Sequence, residues 1–243
     1  MTTASKISEG TPFDVATRIY DGSPRPVTPR AFGRREFERR DVYGFLSIKE
    51  DRAIEVDGLP ALCVALSLEC DPRINAYVER PRKLLVGARS LELDFWVRYK
   101  SGREEFLLVV SEADCVSNPG GTRSPRESRR LAEAASLASI NLHSITEYDV
   151  RVEGSRLMVH NRLLAFTQVA QTLSNGLAIR IRLLNYFSSV GRARIDQAEE
   201  ALAPLPPSDL HAVICELVCL GALTFDRAYG LTRHTIIERS VRT

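Results

Sequence analysis

Two carboxylates and a third oxygen donor can hold a divalent cation, lower the pKa of a bound water and offset charge on a phosphate. One stretch of the chain collects such groups. Asp94 stands in Leu91-Glu-Leu-Asp-Phe-Trp-Val97, Lys100 follows, and Glu104 and Glu105 come after a Ser101-Gly102 turn. A strand carboxylate facing solvent is the plainer reading of Asp94, and both stay open. Other chemistries find less support. His143, His160, His211 and His234 have no Ser or Cys partner at a recognisable triad spacing. Gly120-Gly121 lacks the Gly-Lys-Ser/Thr of a phosphate loop. The five cysteines, Cys63, Cys70, Cys115, Cys215 and Cys219, form no CxxC pair, so a structural zinc site is not expected and a reduced setting fits. Trp96 reads as a packing residue rather than a stacking platform.

Basic residues point to phosphate only locally. The 243 residues carry 33 Lys+Arg against 31 Asp+Glu, a net charge of +2, which excludes a uniformly basic nucleic-acid coat. Lysine occurs only at Lys6, Lys49, Lys83 and Lys100. The rest is arginine, whose planar fork suits phosphate and guanine, although GC-rich bacterial codon usage gives the same skew. Arg30, Arg34, Arg35, Arg39 and Arg40 cluster around Glu36 and Glu38. Arg192 and Arg194 precede Gln197, and Arg227, Arg233, His234, Arg239 and Arg242 lie near the end. Of these, Arg34, Arg35, Arg192, Arg194, Arg233 and Arg239 are the expected DNA contacts, each adding salt-sensitive affinity.

The elements that must position these groups follow from periodicity and punctuation. Residues 1–30, rich in Ser, Thr, Pro and Gly, read as an extended arm. Phe45–Glu50 and Arg52–Val56 read as short strands, and Leu59–Cys70 as an apolar helix with Pro60 in its first turn. After a turn at 71–75, Ala76–Glu79 extends. Leu91, Leu93, Phe95, Val97 and Tyr99 alternate with polar residues as in one half-buried strand. Phe106–Val110 is apolar throughout, as in a central strand covered on both faces. Leu131–Ile140 reads as a helix and His143–Thr146 as a strand, giving a mixed sheet with helices against it. Beyond residue 165, Leu164–Leu173, Ala178–Ser188, Asp196–Ala203 and a Ser208-capped Asp209–Leu220 read as helices. Gly191–Ile195 reads as a strand, and Leu223–Phe225 with His234–Glu238 as a hairpin. This is the order of a winged helix. Its second helix is expected to present Arg192, Arg194 and Gln197, whereas Asp209–Leu220 is poor in Arg and Lys, which favours protein docking as much as base reading.

Taken in order, Phe45-Leu-Ser-Ile-Lys49, Leu68-Glu-Cys-Asp-Pro72, Tyr77-Val-Glu-Arg-Pro81, Asp94-Phe-Trp-Val97, Gly102-Arg103, Thr146-Glu-Tyr-Asp-Val-Arg151 and Asn161-Arg-Leu-Leu164 make the chain resemble the TnsA-like transposon end-cleaving endonucleases. The resemblance covers about half the chain. It implies an α/β restriction-endonuclease-like domain of PD-(D/E)xK type, followed by a mostly α winged-helix domain. The family pattern places a Glu on an early helix, an Asp at the start of a hairpin strand, and Glu-x-Lys on the next strand. Asp94 falls on that Asp, Asp57 at or near the early Glu, and Leu108-Val-Val110 on the Glu-x-Lys. Leu108 and Val110 therefore stand where a carboxylate and an ammonium belong, and aliphatic side chains neither coordinate a hard cation nor activate water. A rearranged site would draw on Glu105 and Lys100.

The resulting expectations are a flexible arm at 1–40, a nuclease-fold domain at 41–165 and a helical/winged-helix domain at 166–243. The resemblance implies a DNA-binding subunit acting in transposition with a catalytically degenerate centre, a DDE-type transposase and an AAA+ regulator as partners, and Mg²⁺ or Mn²⁺, with Asp94 as a ligand, only if the site is active. An active endonuclease with a rearranged site and a non-catalytic scaffold or regulator are the alternatives. Met1–Gly10 is polar and no apolar run approaches the roughly 20 residues a membrane span needs, so a cytoplasmic bacterial protein is expected.

Overall fold

In the computed structural model, residues 27–227 and 230–240 are described. Most of the expected N-terminal arm, and Arg242, lie outside them. A short helix α1 (Arg34–Phe37) precedes a hairpin of β1 (Val42–Ser47) and β2 (Arg52–Asp57), then α2 (Gly58–Cys70) and β3 (Ile74–Glu79). A second hairpin, β4 (Lys83–Val86) and β5 (Arg89–Glu92), leads into β6 (Phe95–Tyr99) and β7 (Glu104–Val110). A third, β8 (Cys115–Ser117) and β9 (Arg123–Pro125), is followed by α3 (Ser128–Leu137) and β10 (Leu142–Thr146). Then come α4 (Glu147–Val152), α5 (Gly154–Thr172), α6 (Gly176–Val190), β11 (Arg192–Arg194), α7 (Ile195–Ala201), α8 (Pro207–Cys219), β12 (Leu223–Thr224) and β13 (Ile236–Arg239).

The protein is mixed α/β. Its central sheet runs β10-β7-β6-β3, with β10 parallel to β7 and the other pairs antiparallel. Both faces are covered, which is why β7 is apolar from Phe106 to Val110. Val97, Phe95, Tyr77 and Leu107 pack with α2 residues Val64 and Leu68 on one face. Trp96, Val78, Leu108 and Val110 pack with α3 residues Leu131 and Ala134 on the other. The alternation read as one strand from Leu91 to Tyr99 is two strands broken at Leu93-Asp94.

At the turn between β1 and β2 the chain is pinned by buried polar groups. Glu69, 1% exposed, accepts from Ser47 Oγ at 2.7 Å, Ile48 N at 2.8 Å and Tyr77 Oη at 2.6 Å. Lys49 Nζ donates to Leu68 O at 2.8 Å and to Asp71 O, closing the C-terminal end of α2. Burial lowers the Lys49 pKa, and Glu69 opposes that shift.

After β10 the fold turns helical. Helix α5 runs through the boundary expected at 165/166. Helices α5 to α8 enclose a second core with the antiparallel sheet β11-β13-β12. Ile48 and Cys70 from the N-terminal half belong to that same core. Helix α8 lies at its centre, with every residue from Leu210 to Cys219 buried. It opens on Pro207 rather than on a Ser208 cap, a proline being pre-set for the first helical position. Where this half meets the Pro72 turn, Gly221 adopts φ +80°, and a Cβ there would stand 2.6 Å from Pro72 Cβ, so only glycine fits. No helix among the described residues is long and apolar enough to cross a membrane.

Candidate functional site

The break before β6 is made by Asp94. Its main chain is held on both sides: Arg80 N donates to Asp94 O at 2.7 Å and Asp94 N to Leu107 O at 3.0 Å. Its side chain turns to the neighbouring strand, where Oδ2 accepts Val109 N at 2.6 Å. The carboxyl thus takes a hydrogen bond that a regular ladder would give to a backbone carbonyl. Desolvation pushes its pKa up to about 7; the Val109 N–H opposes this, and the Glu92 and Asp57 charges add to it.

A small cavity of about 220 Å³ opens beside it, lined by Arg40, Asp57, Glu79, Arg80, Glu92 and Asp94, with Leu108 and Val109 at the back. Asp57 stands at the junction of β2 and α2 and pairs with Arg40 at 2.6 Å instead of capping the helix. Glu79, 3% exposed, is held by both terminal nitrogens of Arg52, at 2.7 and 2.6 Å. Glu92 is gripped by Arg30, which also reaches Glu36 at 2.7 Å. Arg80, at φ +45°, donates to Arg30 O at 2.8 Å and to Glu55 O, and stacks 3.6 Å over the Phe32 ring. Every carboxylate here except Asp94 is engaged by a guanidinium.

Asp57, Asp94 and Leu108 therefore meet at one place. Val110 sits one pleat further along β7, buried against α3. Glu105 and Lys100 do not join them. Glu105 pairs across the sheet with Val97, on the α2 face, and its carboxylate receives Tyr99 Oη and lies 3.4 Å from Arg103. Lys100 Nζ donates to Leu220 O at 3.3 Å, joining the sheet to the C-terminal half. The rearranged site expected from Glu105 and Lys100 is not assembled, because strand parity turns Glu105 to the other face. Nor does the Asp94 cavity suit a hard cation. The Asp94 carboxyl, pushed up to about 7, is only partly ionised near neutrality, its neighbours are paired with arginine, and Leu108 offers no donor. Among the described residues no group of three His, Cys, Asp or Glu is placed to hold a metal.

One Ser–His contact was not legible from spacing. Ser67 Oγ lies 3.4 Å from His160 Nδ1 at the edge of a cleft of about 530 Å³ between α2, the sheet and α4–α5. Its direction argues against nucleophilic chemistry. An arginine only donates, so Arg227 Nη1, 3.3 Å from His160 Nε2, makes that nitrogen the acceptor. The ring proton then sits on Nδ1 facing Ser67, whose own hydroxyl donates to Cys63 O at 3.0 Å. Burial first, then Arg227, lowers the His160 pKa to about 4. A general base for Ser67 would need the opposite tautomer.

The expected arginine contacts are scattered over two surfaces. Arg34 pairs with Glu38 at 3.3 Å on α1, and Arg35 is exposed beside it. Arg192 and Arg194 lie on β11, not on a helix, and pair with Glu238 at 3.9 Å and Asp196 at 2.9 Å. Gln197 is spent on the Arg194 backbone N–H at 2.9 Å. Arg233 holds Glu199, and Arg239 donates to Leu184 O at 3.2 Å. The buried α8 offers no face to a groove; Arg180 on α6 clamps its fully buried Glu216 through two 2.6 Å bonds. No family model matches the chain, and no curated protein is found to be similar to it.

Proposed function

We propose that the chain is a DNA-binding, non-cleaving subunit of a transposition machine, with a nuclease-like domain of TnsA-like type whose metal centre has been replaced. The observation that carries this reading is the junction of β6 and β7. An aspartate just before a hairpin strand meets the next strand at Leu108 and Val109, where the family pattern has Glu-x-Lys on 108 and 110, and those two positions are Leu108 and Val110. The order α2, β3, β6, β7, α3, β10, with β7 and β10 parallel, agrees with a helix, a hairpin, a central strand, a helix and a last strand. The C-terminal order of α6, β11, α7, α8, β12 and β13, with its three-stranded sheet, supports a winged helix. Its third helix is turned inward, which favours a docking role for that module over base reading. The DDE-type transposase and AAA+ regulator are the partners such a subunit would serve, and cleavage would fall to the transposase.

Supercoiled plasmid carrying the element's ends, incubated with the full chain and Mg²⁺ or Mn²⁺, with and without the partner transposase, tests this. The expected result is salt-sensitive DNA binding, with no nicking attributable to this chain. Metal-dependent nicking that disappears in Asp94→Ala would overturn it in favour of an active endonuclease. Absence of DNA binding at low salt would leave only the scaffold role.

A further inference from the structure

The charged surface that the expected arginines leave out lies over the apolar side of the same strand pair. A cleft of about 420 Å³ has Val86, Leu108, Val110 and Leu131 in its walls and Arg89 and Arg126 at its rim. Around it the β8–β9 hairpin and the start of α3 bring further arginines together, and their counter-ions are too few. Glu127 is shared by Arg89 and by Arg130 at 3.1 Å. Glu112 is shared by Arg151 and by Arg123 at 3.6 Å. The exposed Arg126 side chain makes a 3.3 Å contact to Ala113 O, and the Asp114 carboxylate is taken up by Ser111 Oγ at 3.0 Å.

Five guanidinium groups thus stand beside four carboxylates, Glu112, Asp114, Glu127 and Glu147, the last accepting Glu112 N at 2.9 Å and lying near Arg151. A carboxylate held between two arginines satisfies only part of each fork, leaving N–H donors directed outward. The pairs are mostly exposed, so each contributes little and can be exchanged for another anion. A phosphodiester chain supplies such anions at regular spacing, and it gains entropy from the counterions it sheds.

We propose that this surface, formed by Arg89, Arg123, Arg126, Arg130 and Arg151 around the cleft, grips the phosphate backbone of DNA. The inference rests on the DNA-binding reading above. It moves the contact from the six expected arginines to the face beside Leu108 and Val110. DNA lies there over an aliphatic floor rather than over metal ligands.

The test compares the full chain with Arg123→Gln/Arg126→Gln/Arg130→Gln and with the charge-matched Arg103→Gln/Arg156→Gln/Arg182→Gln. Affinity for a fluorescein-labelled duplex is measured by anisotropy across a salt series. The first triple should lose at least about tenfold in affinity near 0.1 M salt, and its log K against log salt slope should flatten by about 2–3. The control triple should stay within about twofold of the parent, because long-range charge is screened at that ionic strength. Arg126→Gln alone, which disturbs no ion pair, should flatten the slope by about 1. Parent-like binding by the first triple, or equal losses in both triples, would overturn the inference and leave the DNA-binding reading standing. No binding by the parent chain at low salt would overturn both.

Discussion

Replacing Asp94 with asparagine should stabilise the protein, and by an amount that grows with pH. The folded-state pKa is raised from the usual 3.8 to about 7, chiefly by desolvation. Between those values the folded chain keeps a proton that the unfolded chain has released. Stability contributed by this group therefore falls as pH rises through the window and levels off above it. At about 1.4 kcal/mol per unit, the displacement sets a ceiling of about 4 kcal/mol. Asp94 retains some solvent exposure, so about 2–3 kcal/mol is the expected penalty at pH 8. Asparagine has no such penalty and can still accept the Val109 N–H through Oδ1. Urea unfolding of both proteins at pH 4.5, 6, 7 and 8.5 should give the smallest gap, at most about 1 kcal/mol, at the lowest pH. The gap in favour of Asp94→Asn should then open and reach its plateau near pH 8. A gap that does not change with pH, or an asparagine variant less stable than the parent at pH 8.5, would refute the account of the site. Stabilisation of the parent, but not the variant, by millimolar Mn²⁺ would refute the argument that the cavity does not suit a hard cation.

His160 should show the opposite slope. Its folded pKa is depressed from 6.5 to about 4, so in that window the unfolded chain binds the proton that the folded chain refuses. Stability from this group is complete above pH 6.5 and is lost as pH falls, by up to about 3 kcal/mol. His160→Gln should remove that dependence, and unfolding at pH 4.5 and 7.5 measures it. In the second core, Arg180→Ala leaves the fully buried Glu216 carboxylate without its partner and should cost about 3–5 kcal/mol by denaturant unfolding. Arg180→Met with Glu216→Leu should recover most of that loss; a single variant as stable as the parent would contradict the pairing.

The two slopes oppose one another over nearly the same pH range, so they offset in the parent profile, and neither shift was legible in the sequence. Periodicity carries local information. The apolar run Phe106–Val110 declared a strand covered on both faces, and Leu59–Cys70 declared α2 to within a residue. The break at Asp94 escaped because Leu91, Leu93, Phe95, Val97 and Tyr99 keep their alternation straight through it. What interrupts the strand is a side chain capturing an amide 15 positions later. Parity likewise decides that Glu105 faces α2 while Leu108 faces α3, and parity follows only once the register of β6 against β7 is known. Some signals were present and passed over. Thr146-Glu-Tyr-Asp149 is a capping-box spacing, and it starts α4.

Helix α8 gives the strongest instance. Leu210-His-Ala-Val-Ile-Cys-Glu-Leu-Val-Cys219 has no polar stripe, and a helix apolar all round belongs in a core. Its one acidic side chain in that run, Glu216, is admissible there only because Arg180 reaches it from α6. A helix that must bury a carboxylate and a clamp to stay central cannot also be offered to a groove without exposing its whole apolar circumference. That cost is what turns the C-terminal half toward α2 and Ile48. Under the proposed reading, it also leaves DNA to be met by the exposed arginines beside β7.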